Sequence, residues 1–160
     1  MKISEFKISN TEQVKDLLVE LQKYVISIDK YHLNTLSQEY RDLYFDKTYQ
    51  QCYDNEGKIF VAVEKGKIIG VVCGYVEQYD ALDRCEYTCP KKGIISELIV
   101  SSESRNIGLG NTLIARMETY FKSIQCEYCQ IDVFAYNENA IKFYQKHDYE
   151  DRMVTMFKKL

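Results

Sequence analysis

The stretch 97–111, ELIVSSESRNIGLGN, constrains the rest of the chain more than any other. It reads as a short apolar strand, a polar turn and a glycine-rich entry into a helix. Leu98, Ile99 and Val100 are strand residues, and residues 101–104 carry no apolar side chain, so the strand ends there. Beyond Arg105, Gly108 and Gly110, the residues Leu113, Ile114, Met117, Tyr120 and Phe121 recur at helical spacing. Two glycines at a helix start let an anion approach bare backbone N–H groups. The helix dipole adds about 0.3–1 kcal/mol for an anion there, and each charge-assisted hydrogen bond about 1.5–3 kcal/mol. Arg105 supplies a fixed positive charge beside the loop. A plain turn into a helix would use the same glycines. The stretch is not a nucleoside-triphosphate loop, which needs a GK[ST] run, nor a dinucleotide fingerprint, because position 113 is leucine.

A chain of 160 residues can bury one substantial core, so a single domain over residues 1–160 is expected. A formal net charge of −3 without a basic cluster argues against a nucleic-acid partner. The first ten residues lack the apolar core of a signal peptide, and the longest apolar run, residues 68–76, is too short to span a bilayer. A soluble cytoplasmic protein with no membrane partner is the expectation. Cys85/Cys89 and Cys126/Cys129 have spacings that a structural zinc could use, but plain strand, loop and core thiols are the favoured reading, and no metal is expected.

The remaining elements follow from periodicity. Residues 2–8 read as a first strand. Asn10 to Gln13 resembles a capping box opening a helix whose apolar face holds Val14, Leu17, Leu18, Leu21, Val25 and Ile28. A second helix is predicted over 37–52. Residues 59–63 and 68–76 read as a hairpin around Gly66, and 78–92 as a long polar loop with the only proline, Pro90. Strands are predicted at 94–100, 130–135 and 149–158, and helices from Gly110 to about 124 and from Asn137 to about 146. The strand–helix–strand unit over 94–135 places its two strands parallel, giving an α/β class with a mixed sheet.

Asn137, Ala140, Ile141 and Tyr144 share one face of the later helix, and Asn137 stands where an N-cap belongs. An ELIV strand, then R-x-x-G-x-G at a helix start, then N-x-x-A-x-x-F-Y on the next helix resembles the GNAT superfamily of acetyl-CoA-dependent N-acetyltransferases. The resemblance covers about residues 59–158. It implies the GNAT fold, a mixed central sheet splayed between two parallel strands and flanked by helices. It also implies acetyl-CoA as co-substrate, with acceptor-recognition helices at about 10–52 and an acetyl-CoA-binding core at about 94–146.

Carried onto this chain, the resemblance implies that the backbone of Leu98, Ile99 and Val100 pairs with the pantetheine amides. Arg105, Asn106, Ile107, Gly108, Leu109 and Gly110, with Asn111 and Thr112, would hold the pyrophosphate. Asn137 would contact the cofactor, and Tyr144 would lie near the thioester sulfur. Three departures stand out: Asn106 where glycine is usual, Ser101-Ser102 for a common Asp-Pro, and Asp148 for the glycine before Tyr149. Asn and Asp reach left-handed backbone more readily than most residues, which preserves the fold.

The chemistry follows from the amine. An alkylamine of pKa near 10.4 must lose a proton at neutral pH, at a cost of about 4.6 kcal/mol. A thiolate is by comparison a tolerable leaving group. Direct transfer is expected, with Tyr144 as general acid and Glu97, an acid inside an apolar strand, as base or anchor for the substrate ammonium. Glu97 could equally be an edge charge paired with a lysine, and Asp132 is its weaker rival. A backbone N–H near Ile99 could polarise the carbonyl. The acceptor is expected to be a small-molecule primary amine, with a protein amine or a non-catalytic acetyl-CoA sensor as the competing readings. Tyrosines and acids between Tyr24 and Tyr53, and on the 78–92 loop, would receive it or simply form helix core and solvated face. A homodimer is expected from the resemblance alone.

Overall fold

A computed structural model describes all residues from Met1 to Leu160. Five strands form one sheet in the order β1-β2-β3-β4-β5: Lys2–Glu5, Lys58–Glu64, Lys67–Val76, Lys92–Val100 and Tyr128–Ile131. The first three pairings are antiparallel, and β4 and β5 run parallel. Helices α1 (Thr11–Ile28) and α2 (Tyr40–Asp54) lie between β1 and β2 in the chain. The short α3 (Asp83–Glu86) interrupts the long loop, α4 (Leu109–Ser123) joins β4 to β5, and α5 (Glu138–Gln145) follows β5.

The sheet is covered on both faces. Val14, Leu17 and Leu18 of α1 and Phe45 and Cys52 of α2 pack with Ile59, Val61, Val71 and Ile99 on one face. On the other, Leu113, Ile114, Met117 and Phe121 of α4 and Tyr144 of α5 pack with Phe60, Ala62, Val72 and Ile95. Two-sided burial explains why β2 and β3 read as continuous apolar runs rather than alternating ones. The β2–β3 turn runs through Lys65 (φ 48°) and Gly66 (φ 79°), the two left-handed residues that the tightest hairpins demand.

One register shift has consequences for the site. Cys73 pairs with Glu97, but the next residue, Gly74, pairs with Ile95, so Ser96 is an extra residue in β4. Strict alternation would put Ile95, Glu97 and Ile99 on one face. The bulge instead sends Ile95 to the α4 face and leaves Ile99 on the α1/α2 face.

Several sequence expectations are corrected. Asn10 does not cap α1: its Oδ1 accepts from Lys7 N at 2.9 Å, and Gln13 reaches across to accept from Ile68 N at 2.8 Å. The second helix starts at Tyr40 rather than 37. The strand expected at 130–135 is Tyr128–Ile131, because it lasts only while β4 runs beside it, and Asp132 therefore lies beyond the strand. The strand expected at 149–158 does not form. Its run pairs with no neighbour, and Met153, Val154, Met156 and Phe157 face solvent.

Candidate active site

The pairing of β4 with β5 covers only Lys92–Ile95 opposite Tyr128–Ile131. From Ser96 to Val100, β4 keeps β3 on one side and has no strand on the other. Ser101 N donates to Ile69 O at 2.9 Å, so by antiparallel alternation Ile99 also turns its main chain toward β3. Leu98 and Val100 turn theirs to the open side. Of the three residues named from the sequence, these two present main-chain groups where an extended ligand could pair, and Ile99 presents only a buried side chain to the α1/α2 face. Arg105 Nε already donates to Val100 O at 3.2 Å, at the far end of this edge.

The strand leads through a 3-10 turn, Ser102–Ser104, into the glycine loop. Asn106 is left-handed at φ 64°, as is Asp148 at φ 62°, so both departures from the usual glycine take the backbone shape glycine would. Gly108, at φ 79°, is the N-cap of α4 and has no side chain with which to cap it. The first N–H groups of α4, on Leu109, Gly110 and Asn111, precede its intrahelical ladder, whose first bond here is Thr112 N to Gly108 O at 3.3 Å. Thr112 Oγ1 returns to Gly108 O as well, Leu109 is buried as an anchor, and Ile107 is exposed. The loop is thus a set of bare donors at the positive end of a fifteen-residue helix.

The loop and α5 are neighbours. A methyl at Gly110 would lie 3.3 Å from the Phe143 ring, and Asn111 Oδ1 is 3.0 Å from His147 Nε2. Asn137 caps α5, its Oδ1 accepting from Ala140 N at 3.2 Å and from the Tyr24 hydroxyl of α1 at 3.0 Å. Tyr24 also lies beneath Arg105, 5.7 Å from its guanidinium, and Glu20 one turn earlier is 3.6 Å from Arg105 and accepts from Ser102 N at 2.8 Å. Tyr24 thereby ties α1 to both sides of the opening between β4 and β5. From the sequence alone Tyr24 is one of several tyrosines in the 24–53 stretch.

Tyr144 is buried among α4 and α5 residues, 5.1 Å from the Phe143 ring and 5.8 Å from Tyr149, centroid to centroid. Burial, and behind it the negative charge of Glu97, holds its phenol proton well above the ordinary range. Glu97 is 7% exposed, and its carboxylate accepts a hydrogen bond from the Tyr44 hydroxyl of α2. Burial raises it to about 7, against the opposing pull of the Tyr44 bond and the Lys47 charge. It is not the lysine-paired edge charge weighed from the sequence. The sequence places Tyr44 among the acceptor-side tyrosines but does not show its bond to Glu97. Its only signal was a tyrosine at helical spacing in a chain with 14 tyrosines.

The other candidates are used elsewhere. Asp29 is buried, and its carboxylate accepts from Tyr31, Leu33 and Asn34; the Asn34 bonds above all hold it at about 2. Asp42 is paired with Lys15 at 2.7 Å. All six cysteines are free, and burial pushes Cys52 to about 12 and Cys129 to about 11, so neither is a ready thiolate nucleophile. No group of three or more His, Cys, Asp or Glu side chains is placed to hold a metal ion. No helix is long and apolar enough to cross a membrane.

A mixed sheet that opens between its two parallel strands, with a glycine-led helix starting at the opening, is the arrangement that the resemblance to the GNAT superfamily implies. The chain belongs to the acetyltransferase (GNAT) family, whose model matches residues 25–149. It is 28% identical over 109 residues to an uncharacterized N-acetyltransferase of Methanocaldococcus jannaschii, a match covering 68% of this chain and 58% of that protein. Among solved structures it resembles the tetramutant BH1408 protein of Bacillus halodurans, with a TM-score of 0.85 and 22% identity over the whole of both chains. It also resembles glucosamine-6-phosphate N-acetyltransferase of Arabidopsis thaliana, with a TM-score of 0.69 and 24% identity over 99% of this chain and 97% of that one. These structural likenesses speak to the fold.

Proposed function

We propose that this chain transfers the acetyl group of acetyl-CoA to the primary amine of a small molecule by direct attack. The observation that carries this reading is the unpaired edge of β4 from Ser96 to Val100, which ends at the bare N–H groups opening α4. An extended chain of amides ending in a diphosphate matches that order of donors and acceptors. Leu98 and Val100 would bind the pantetheine amides, and Gly108, Leu109, Gly110 and Asn111 the pyrophosphate, with Arg105 as its countercharge. Asn137 would bound the far wall.

The acceptor arrives as an ammonium ion. Glu97 takes one of its protons, becoming a carboxylic acid and freeing the nitrogen lone pair. A carboxyl near 7 is close to the best compromise for a base at neutral pH. As the new C–N bond forms and the C–S bond breaks, Tyr144 donates a hydrogen bond to the departing sulfur. With its phenol held well above a thiol, Tyr144 keeps its proton and stabilises the developing thiolate rather than fully protonating it. The second amine proton accounts for the thiol product. The stacked rings of Tyr40 and Tyr44, beside a buried carboxylate between α2 and β4, favour a compact organic cation over an extended peptide.

The test is thiol release from acetyl-CoA against a panel of polyamines, aminoglycosides, amino-acid derivatives and lysine peptides. Turnover with a small amine is the expected result; turnover with peptides only would move the acceptor to proteins. Binding of acetyl-CoA without turnover on any amine would make the chain a sensor. Tyr144→Phe, which removes one charge-assisted hydrogen bond to the departing sulfur, should lower kcat by about 10–100-fold with acetyl-CoA affinity kept.

A further inference from the structure

Glu97 is surrounded by groups from three other elements. Cys73 of β3 pairs with it across the ladder; its charge is felt by Tyr40, Tyr44 and Cys52 of α2, by Cys73 and Tyr75 of β3 and by Tyr144 of α5, and Lys47 of α2 is the cation that acts on it. Only Tyr44 makes a hydrogen bond to it. The Tyr44 ring is itself held, stacked on Tyr40 with centroids 4.8 Å apart and planes 14° from parallel. The Tyr40 hydroxyl is tied to Gln22 Oε1 of α1 at 3.4 Å. The carboxylate is therefore fastened through one oxygen, Oε1, to a braced donor on the acceptor-side helices. Its second oxygen takes no bond from a protein group.

We propose that Tyr44 is the positioning residue of the catalytic base: by donating to Oε1 it fixes the rotamer of Glu97 and keeps the carboxylate ionised, leaving Oε2 to receive the acceptor's proton. This rests on the reading of Glu97 as base. The physical need is plain. A carboxylate buried among apolar side chains and neutral thiols, with no donor, would be driven toward its neutral form and could not act as a base. Lys47 is the one cation that lowers it, and no salt bridge joins the two side chains. A bond from a neutral hydroxyl stabilises the anion without adding a counterion that would compete with the incoming ammonium.

Removing the Tyr44 oxygen keeps the ring and its stack. Loss of one charge-assisted hydrogen bond should raise the pKa that governs the acidic limb of kcat/KM by about 1–2 units. At a pH on that limb Tyr44→Phe should therefore be about 10–100-fold slower, with the loss recovered above pH 9. Acetyl-CoA affinity should stay near wild type, and the unfolding midpoint should fall with rising pH as Glu97 ionises, with little of that loss at pH 4, whereas a merely structural role would lower activity and stability equally at every pH. A carbon-13 titration of the Glu97 carboxyl, in the wild type and in Tyr44→Phe, reads the same shift without turnover. Glu97→Gln separates the two ideas. If the acidic limb survives in Glu97→Gln, Glu97 is not the base and the proposal falls with that reading. If Glu97→Gln removes the limb but Tyr44→Phe leaves it and the carbon-13 titration where the wild type has them, the base stands and the role of Tyr44 is overturned.

Discussion

Glu97 should leave a mark on stability as well as on rate. Its folded value near 7 lies above the ordinary 4.5. Between those values the native chain holds more protons than the unfolded one, so stability falls as pH rises through the window. The penalty is complete above about pH 7 and absent below about pH 4. Glu97→Gln keeps the shape and can still accept from Tyr44, but carries no charge to bury. It should be more stable than wild type by about 3 kcal/mol at pH 8 and no different at pH 4. Urea unfolding at the two pH values measures this, and an equal effect at both would mean that the carboxylate is adequately solvated in the native state. That Glu97 is unusual was legible in the sequence, because an acid between strand residues has few places to go. Its partner was not. Nothing in the order of residues says that the Tyr40–Tyr44 face of α2 lies over β4, since that contact depends on how the α1–α2 pair settles on the sheet. Likewise, Asp29 and Asp42 look like cation-binding acids in the sequence, and the fold spends Asp29 on its own loop and Asp42 on Lys15 of α1.

At the scale of elements, the start of α4 is where backbone geometry and ligand chemistry meet. A side chain at Gly108 has space, its nearest neighbour being Asn111 Nδ2 at 3.9 Å, but the φ of 79° strains any L residue. At Gly110 the conformation is helical, and the obstacle is the Phe143 ring at 3.3 Å. A bulky residue there would push α4 from α5 before it met any ligand, so Gly108 is the cleaner probe. Gly108→Ala should cost about 1–2 kcal/mol of stability and, through the shifted N–H groups and the added methyl, weaken acetyl-CoA about 10-fold, roughly one lost hydrogen bond. Calorimetric titration decides it: unchanged affinity would place the pyrophosphate elsewhere. The strand–loop–helix order of this region was readable from its residues, because glycines and apolar spacing are local signals. The bulge at Ser96 and the early end of β5 were not. Each is a relation between strands rather than a property of either one: the bulge belongs to the β3–β4 register and the end of β5 to the β4–β5 pairing.

Across the whole molecule, the two faces of the sheet are unequally defended. α1 and α2 close one face with two long helices, while on the other the eight-residue α5 adds Tyr144 beside α4 and leans on Tyr149. The Tyr149 hydroxyl donates to Glu118 Oε1 at 3.1 Å and lies 3.1 Å from Cys129 Sγ, so one side chain joins α4, β5 and the end of α5. Beyond it, residues 150–160 are exposed, and their visible tie is Phe157, whose carbonyl accepts from the Tyr31 hydroxyl at 3.2 Å and whose ring lies 4.9 Å from that of Tyr31. Met153, Val154, Met156 and Phe157 have the composition of a strand. A ladder partner is the further requirement, and composition cannot supply it. Shortening the chain to end at Asp151 should therefore cost no more than about 1 kcal/mol, one exposed aromatic contact and one exposed hydrogen bond. Tyr149→Ala, which empties a packed position beside Tyr144, should cost about 3–5 kcal/mol. Thermal unfolding of the two variants side by side reads the contrast. A shortened chain that melts as early as Tyr149→Ala would show that the last nine residues belong to the core of the α5 face.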